Sequence, residues 1–417
     1  MLESREGTEK SARFSFIGFD PIFEFKSKGK LVNINGNYRY SKDPYGFLRK
    51  KFYSFDIETV DSLPFSIGLV GYFSYEIINN FESLPSLTED TLNLPDLHFI
   101  LPSKIICFDH RNKKYYLVSL RGRDGFELND IIEYNKKETR DLIIQNTEEE
   151  VEKRDFSTSV EKAKEYIKNG DAYQIVLSRR KKVGIEGDRF EIYKRLRDIN
   201  PSPYLFYLNF DETKIIGSSP EMLVKLKNRK ITTRPLAGTR KRAKDPEMDE
   251  KYKLDMLLDQ KERSEHLMLV DLHRNDIGKV SEYGTVKVTE LMGIEKYSHV
   301  QHLVSNVVGQ LRKKRDSFDV LKSCFPAGTV TGAPKIRAME IIEELENVKR
   351  GPYGGAVGFF DFSGNMEFAI TIRSIFTKGD HAYIQAGAGI VDDSIPEREY
   401  AETEEKMEAM IKTMEDK

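Results

Sequence analysis

Tryptophan is absent from this chain of 417 residues, and only two cysteines occur. So few cysteines exclude a disulfide scaffold and a cysteine-rich zinc site. No stretch reaches the roughly 18 apolar residues of a membrane-spanning helix, and the charged start MLESREGTEK is unlike a signal peptide. Net charge is nearly absent too, because 66 Lys and Arg residues face 68 Asp and Glu residues. These absences predict a soluble, cytoplasmic protein that binds neither nucleic acid nor membranes.

Strand signals dominate the first part of the chain. Segments 13–19, 65–75 and 104–120 mix β-branched and aromatic residues. The highly charged segment 121–155 then predicts a boundary, with a β-rich N-terminal domain at residues 1–150 and a second domain at 151–417. Because strands and helices come in runs without regular alternation, the predicted fold class is α+β, with large, mainly antiparallel β-sheets packed as a sandwich and helices on the outside.

Helix and strand signals also mark the second part. A capping pattern at Thr158 and Glu161 predicts a helix start, and Asn169 followed by glycine predicts its end. Further helices are predicted at 188–199 and 248–274, and others after Pro334 and Pro396. Strands are predicted at 174–179, 204–210, 214–218, 222–227, 284–290 and 299–308, and a hairpin at 356–376.

Acidic side chains at helical spacing are the strongest chemical signal. Glu262 and Glu265 lie three residues apart and share a helix face, and the apolar run 267–270 follows them. Carboxylates that enter a core need a cation, a proton or an arginine, and an all-oxygen ligand set suits Mg²⁺. Considered alone, the pattern is more typical of a solvated helix face, and Glu402 with Lys406 of a surface ion pair.

Other residues point to an anionic small molecule. Arg373 stands in an apolar segment, where its guanidinium would need a carboxylate partner. The helix start at 328–335 offers free N–H groups, although it lacks the residues of a phosphate-binding loop. His302, flanked by valines, is more typical of a core histidine. From these residues we predict a Mg²⁺-dependent enzyme for a small polycarboxylate, with the reaction left open.

Nine longer motifs follow one another along the chain. They are Gln174-Ile-Val-Leu-Ser-Arg, Asn200-Pro-Ser-Pro-Tyr, Ile216-Gly-Ser-Ser-Pro-Glu, Pro235-Leu-Ala-Gly-Thr-Arg, Glu265-His-Leu-Met-Leu-Val-Asp-Leu, Tyr297-Ser-His-Val-Gln-His, Phe325-Pro-Ala-Gly-Thr-Val-Thr-Gly-Ala-Pro-Lys, Arg350-Gly-Pro-Tyr-Gly-Gly and Gln385-Ala-Gly-Ala-Gly-Ile-Val. In this order they resemble the chorismate-utilising enzymes, most closely the large subunit of anthranilate synthase. The resemblance is dense over 155–412 and thinner before it.

The resemblance implies a lyase of tryptophan biosynthesis that converts chorismate and ammonia into anthranilate and pyruvate. Glu265 and Glu402 would hold Mg²⁺, and Glu262 would be the general acid for the departing C4 hydroxyl. His302 and Thr329 would assist catalysis, His302 in the loss of pyruvate. Substrate binding is implied for Gln174, Ala237, Gly238, Thr239, Tyr353, Arg373, Gly387, Ala388, Gly389 and Lys406.

Two positions distinguish among the members of this family. Water-adding members carry a lysine base where this chain has Gln174, and a glutamine cannot deprotonate water, whereas ammonia already carries its lone pair. Many aminodeoxychorismate synthases carry a lysine nucleophile where this chain has Ala237. Both positions favour direct attack of ammonia at C2. Component I of aminodeoxychorismate synthase and a non-catalytic, tryptophan-sensing scaffold for a glutaminase stay open as alternatives.

The resemblance also implies partners. A separate glutaminase subunit would supply ammonia in a hetero-oligomer, because no glutaminase cysteine motif occurs in this chain. Feedback inhibition by L-tryptophan is expected through a Leu-Leu-Glu-Ser motif, most of which is present as Leu2-Glu3-Ser4. The implied tryptophan site is formed by Ser4, Pro203, Tyr204 and Leu205.

Overall fold

The computed structural model describes residues 1–4, 13–57, 63, 65–120, 141–297 and 300–415. Its helices are α1 (Pro44–Phe52), α2 (Lys153–Lys168), α3 (Arg189–Ile199), α4 (Pro246–Leu258), α5 (Gln260–Gly278), α6 (Ser317–Cys324), α7 (Lys335–Leu345) and α8 (Pro396–Lys412), with 3₁₀ turns at Tyr75–Asn80 and Gly328–Val330. Its strands are β1 (Leu2–Glu3), β2 (Phe14–Lys28), β3 (Leu31–Ile34), β4 (Asn37–Tyr40), β5 (Gly68–Phe73), β6 (Leu97–Asp109), β7 (Lys114–Ser119), β8 (Ile143–Glu149), β9 (Gln174–Glu186), β10 (Tyr204–Phe210), β11 (Thr213–Ser219), β12 (Met222–Lys227), β13 (Lys230–Thr233), β14 (Leu236–Lys241), β15 (Lys287–Lys296), β16 (Val300–Gln310), β17 (Gly332–Ala333), β18 (Ala356–Asp361), β19 (Met366–Ile370), β20 (Ser374–Lys378) and β21 (His381–Ile390).

The strands pair in antiparallel fashion into one hydrogen-bonded network. The longest ladders join β2 to β6 and β9 to β21. Helices cover this network, with α5 on β14 and β16 and α8 on β21. The predicted α+β class, with large antiparallel sheets and outer helices, is confirmed. No helix in the described part of the chain is long and apolar enough to cross a membrane.

Strand pairs also connect the two predicted domains. β5 pairs along its length with β18, and β1 pairs with β10. The largest hydrophobic core draws on both parts, as in the contact between the rings of Phe73 and Phe360, whose centres are 6.2 Å apart. Residues 121–140, which begin the predicted boundary segment, lie outside the described residues, so the division at 150/151 stays a prediction.

Two predicted helices differ from the observed ones. Helix α2 begins at Lys153 and not at Thr158, because Phe156 is already buried in its first turn. The Thr158 hydroxyl donates to the carbonyl of Arg154 at 2.9 Å, inside the helix. The single helix predicted at 248–274 is two helices, α4 and α5, which meet at Asp259. Its carboxylate caps α5 by accepting the first free N–H groups of that helix.

The second strand of the predicted hairpin is also interrupted. β19 ends at Ile370 and β20 begins at Ser374. Between them, Arg373 has a φ of 51°, a left-handed conformation that a regular strand does not allow. Arg373 therefore does not continue the ladder, and the break lies beside α8, since the guanidinium donates to the carbonyl of Lys406 at 2.8 Å.

Candidate active site

Carboxyl groups from two distant helices come together at the centre of the site. Glu265 lies in the second turn of α5 and Glu402 in α8. Burial raises the pKa of Glu265, the amide of Gln174 opposes this by donating to its Oε1 at 3.1 Å, and the charges of Glu262 and Glu402 raise it further. The carboxyls predicted to act together therefore do interact in the structure, and they are poised to attract a cation.

Lys406 is more than a member of a surface ion pair. Its ammonium lies 2.6 Å from Glu402 and donates to the carbonyl of Gly387 at 2.8 Å, so it joins α8 to β21. The neighbouring Arg373 makes no ion pair with any carboxylate among the described residues, and burial lowers its pKa. A guanidinium in this state is suited to a carboxylate on a bound molecule.

Two glycines of β21 leave room for side chains of other elements. A β-carbon at Gly387 would lie 2.8 Å from the hydroxyl of Tyr353, and one at Gly389 would lie 2.6 Å from the amide nitrogen of Gln174. A side chain at position 387 would also meet the backbone carbonyl of Leu177 at 2.8 Å, and one at 389 would displace the Gln174 amide. Ala388 points to the other face of the strand and packs in a hydrophobic core, so only its backbone could contact a ligand.

His302 lies at the β14 side of the site. In the register of β14 and β16 it is opposite Thr239. Its Nδ1 lies 2.9 Å from the carbonyl of Gly238 and 3.1 Å from the Thr239 hydroxyl. Because a carbonyl only accepts, Nδ1 carries the hydrogen, which leaves Nε2 as a proton acceptor. Burial lowers the pKa of His302, and the hydrogen bond to Gly238 opposes this. The imidazole of His302 is therefore favoured in its neutral form.

Glu262 stands in a strongly charged part of the site. Arg240 of β14 donates to its Oε1 at 2.8 Å and also pairs with Asp255 and Asp259, at 3.2 and 3.1 Å. Gly238, next to Ala237, has a φ of 64°, and a β-carbon there would lie 2.9 Å from Glu262 Oε2. Arg240 therefore fixes the position of the Glu262 carboxyl beside Gly238.

Glu221, which no sequence pattern marked as a site residue, is the most distinctive carboxyl of the site. It is 5% exposed, and the Thr329 hydroxyl donates to its Oε1 at 2.9 Å. Burial raises the pKa of Glu221 to about 7, while the hydrogen bond from Thr329 and the charge of Lys406 oppose this rise. Glu221 directly precedes β12, and a single Glu between two strands carries no burial signal in the sequence. The motif Ile216-Gly-Ser-Ser-Pro-Glu, which contains it, was the available clue.

The described residues form no cluster of three or more His, Cys, Asp or Glu side chains able to hold a metal. What the site offers is the pair Glu265 and Glu402. Mg²⁺ accepts few protein ligands, because it keeps waters and substrate oxygens in its shell. Burial and the charges of Glu262 and Glu402 raise the pKa of Glu265, although Gln174 and Lys406 oppose this rise. A divalent cation would stabilise Glu265 as a carboxylate, so the residues fit that ion.

The four residues predicted to bind tryptophan lie near one another in the sheet. Glu3 is opposite Leu205 in the pairing of β1 and β10, which brings Ser4 toward Tyr204. Pro203 directly precedes β10. The Ser4 hydroxyl is buried and has no hydrogen-bond partner among the described residues, whereas the Tyr204 hydroxyl donates to Glu367 at 3.0 Å. Tryptophan binding here stays a prediction.

Comparison with known proteins gives consistent results. A family model described as a chorismate binding enzyme matches residues 1–412. Anthranilate synthase component 1 of Acetivibrio thermocellus is 45% identical, covering 100% of this chain and 90% of that protein. Aminodeoxychorismate synthase component 1 of Bacillus subtilis is 40% identical, covering 100% and 91%.

Solved structures agree with this match. The crystal structure of anthranilate synthase component I from Streptococcus pneumoniae has a TM-score of 0.87 and 39% identity, over 96% of this chain and 92% of that one. The menaquinone-specific isochorismate synthase of Escherichia coli, at 20% identity and a TM-score of 0.72, shares the fold. The chain described here therefore belongs to the family of chorismate-binding enzymes.

Proposed function

We propose that this chain is the synthase component of a Mg²⁺-dependent anthranilate synthase, which converts chorismate and ammonia into anthranilate and pyruvate. The hydrogen bond from Gln174 to Glu265 is the observation that carries this proposal. This bond places an amide where a water-adding relative has a base. Because an amide cannot remove a proton from water, the nucleophile must be one that attacks as a neutral molecule, as ammonia does. Relatives named anthranilate synthase component 1 add support.

Chorismate carries two carboxylates, and the site offers partners for both. Arg373, with no ion pair among the described residues, and Tyr353 would bind the enolpyruvyl carboxylate, together with backbone at Gly387 and Gly389. Glu265 and Glu402 would hold Mg²⁺, which would supply positive charge for the ring carboxylate. Gln174 fixes the orientation of Glu265 from the opposite side.

In the first chemical step, the nitrogen of ammonia forms a bond to C2, both ring double bonds shift, and the C4–O bond breaks. The attacking nitrogen loses one proton to solvent and becomes a neutral amine. The hydroxyl leaves as water once it has taken up a proton. Glu221 is best suited to donate this proton, because burial keeps its carboxyl protonated near pH 7. Glu262, the acid expected from the sequence, is instead ion-paired with Arg240.

In the second step, the C2 proton moves to Nε2 of His302, and the electron pair of that bond completes the aromatic ring. The C3–O bond breaks, and the enol fragment takes up a proton to become pyruvate. The bond from Nδ1 to Gly238 holds the imidazole in the required tautomer.

Ammonia is expected to come from glutamine through a separate glutaminase, as the name component 1 of the relatives suggests. Tryptophan is the proposed feedback inhibitor, bound between β1 and the start of β10. Both proposals predict behaviour of the assembled enzyme. Glutamine should replace ammonium only when the partner is added, and tryptophan should lower turnover in either assay.

A product assay tests the central proposal. The purified chain with chorismate, Mg²⁺ and ammonium at alkaline pH should form fluorescent anthranilate and one pyruvate per anthranilate, and chelation of Mg²⁺ should stop both. Isochorismate as product would contradict the argument from Gln174. A 4-amino product without pyruvate would instead support aminodeoxychorismate synthase, which the Bacillus subtilis relative keeps as the alternative.

A further inference from the structure

A buried ion pair lies directly behind the substrate-binding residues. Arg350 Nη2 lies 2.5 Å from Glu346 Oε1, and Arg350 Nε donates to Oε2 at 2.9 Å. The two side chains are 2% and 7% exposed. A buried ion pair persists only when its other polar atoms are also satisfied, so the remaining partners of this pair are informative.

Arg350 binds two of the segments that line the site. Its Nη1 donates to the carbonyl of Val330 at 2.6 Å, and its Nη2 donates to the carbonyl of Val176 at 2.8 Å. Val330 follows Thr329, the partner of Glu221. Val176 belongs to β9, two residues after Gln174. One guanidinium therefore joins the turn that carries Thr329, the hydrogen-bond partner of the proposed acid, to the strand that carries Gln174.

Glu346 fixes the opposite end of this arrangement. Its Oε1 accepts hydrogen bonds from the backbone N–H of Ser178 at 2.7 Å and from the Ser178 hydroxyl at 2.9 Å. Ser178 is opposite Gly387 in the pairing of β9 and β21. Gln385 donates to the Ser178 hydroxyl at 2.8 Å. The carboxylate thus supports the strand pair at the glycine that borders Tyr353.

Tyr353 is the third part of the site that the ion pair contacts. The guanidinium carbon of Arg350 lies 5.7 Å from the centre of the Tyr353 ring and 4.7 Å from that of Tyr75. Such an approach of a cation to an aromatic ring is attractive, more so when both are desolvated. The Tyr353 hydroxyl in turn lies where a side chain at Gly387 would be.

We propose that Arg350 and Glu346 are positioning residues for the proposed reaction. They fix the turn of Thr329, strand β9 and the ring of Tyr353 relative to one another and do not touch the substrate. A lysine at position 350 would keep the charge but lose the planar fork that serves three partners at once. This inference rests on the proposed function, so its test separates the two.

The kinetic test compares two buried arginines. Arg350→Lys should lower kcat/KM for chorismate by about 10- to 100-fold, as expected for small misplacements in an active site, while the KM for ammonium changes less than about twofold. Arg180→Lys is the control, because Arg180 is equally buried but bonds to Glu150, Thr91 and the carbonyl of Lys349. Unchanged kinetics in Arg350→Lys, or equal losses in the two variants, would overturn the inference.

A spectroscopic test is independent of turnover. Because the chain lacks tryptophan, Tyr353→Trp provides a single tryptophan beside the ion pair, which can be excited selectively over the tyrosines. Adding Arg350→Lys should shift its emission to longer wavelength, whereas adding Arg180→Lys should not. Glu346→Gln should act like Arg350→Lys and replaces it if that variant does not fold. An unshifted emission would contradict the positioning role. If the unmodified chain shows no turnover of chorismate at all, the proposed function is contradicted and the positioning role is not.

Discussion

The two ends of the candidate site hold carboxyl groups in opposite surroundings. At the first, here called the dry end, Glu221 is buried and has the Thr329 hydroxyl as its hydrogen-bond donor. At the second, the charged end, Glu262 is ion-paired with Arg240, which also bonds to Asp255 and Asp259. The same type of side chain thus accepts from a neutral hydroxyl in a buried position at one end and from a guanidinium in a charged array at the other.

This difference teaches that the role of a carboxyl cannot be read from its presence alone. Glu221 ends the motif that begins at Ile216, and Glu262 lies three residues before the motif that begins at Glu265. Only their surroundings distinguish a proton donor from a glutamate that orients its neighbours. At the charged end, the array around Arg240 keeps Glu262 close to Gly238 and His302. At the dry end, Glu221 is close to Lys406 and the turn of Thr329.

The largest expected effect is that of Glu221→Gln. We expect turnover to fall by roughly 10³-fold, within the range of general acid catalysis, because an amide cannot donate the proton that the hydroxyl needs. The KM for chorismate should change little, since the amide oxygen can still accept from Thr329. Steady-state kinetics measures both. A loss below about tenfold would remove Glu221 from the chemistry.

A smaller effect is expected from Glu262→Gln. The variant breaks the ion pair with Arg240, so we expect a loss of turnover near tenfold and a higher Mg²⁺ requirement, from the change of charge beside Glu265. Arg240→Gln should lower turnover by a similar factor, and the two losses of turnover should not add in the double variant. If Glu262→Gln is instead more damaging than Glu221→Gln, the assignment of Glu262 as the acid, expected from the sequence, is correct.

The pH dependence of turnover sharpens the comparison further. Because Glu221 must be protonated to act, kcat at saturating free ammonia should fall as pH rises through about 7. This limb should persist in Glu262→Gln and disappear from the residual activity of Glu221→Gln. A limb that vanishes in Glu262→Gln would reverse the roles of the two ends.

Glu76 is a buried carboxyl outside the candidate site. Its titration should therefore change the stability of the fold without changing turnover. Burial raises the pKa of Glu76 to about 7, and its Oε1 accepts the N–H of Gly351 at 3.2 Å. A raised pKa favours the neutral form in the folded state, so the free energy of unfolding should fall between pH 4.5 and 7, by up to about 3 kcal/mol from this group.

Glu76→Gln should remove that part of the fall. Denaturant titrations at pH 5 and pH 8 should find the variant similar to the parent at pH 5 and more stable at pH 8, while kcat at each pH stays near the parental value. Equal pH dependence in the two proteins would mean that Glu76 does not titrate in this range.

Much of the fold could be predicted from local patterns. Alternating apolar residues gave β10 and β12 the bounds that the structure has, and Pro396 marked the start of α8. The interruption at Arg373 could not be predicted, because apolar residues continue on both sides of it. The break at Asp259 was missed because helical spacing continues on both sides of it and other acidic residues surround it.

The site could be predicted in part as well. The spacing of three from Glu262 to Glu265 places both on one helix face, but only the fold brings Glu402 of α8 to them. Glu221 could not be found from spacing, because burial of a single glutamate depends on β12, Thr329 and Lys406, which are far apart in the sequence. Long-range packing decides such a pKa, and no local pattern records it.

The ladder between β5 and β18 has a consequence for synthesis on the ribosome. The backbone of Gly68 can form its final hydrogen bonds only after Asp361, about 290 residues later in the chain, has been synthesised. At typical translation rates this delay is on the order of 15–60 s. During this delay, the nascent N-terminal strands expose an apolar edge. Synthesis of this protein in cells should therefore depend on chaperones that bind unfolded chains, and refolding of the full-length chain should depend on them less.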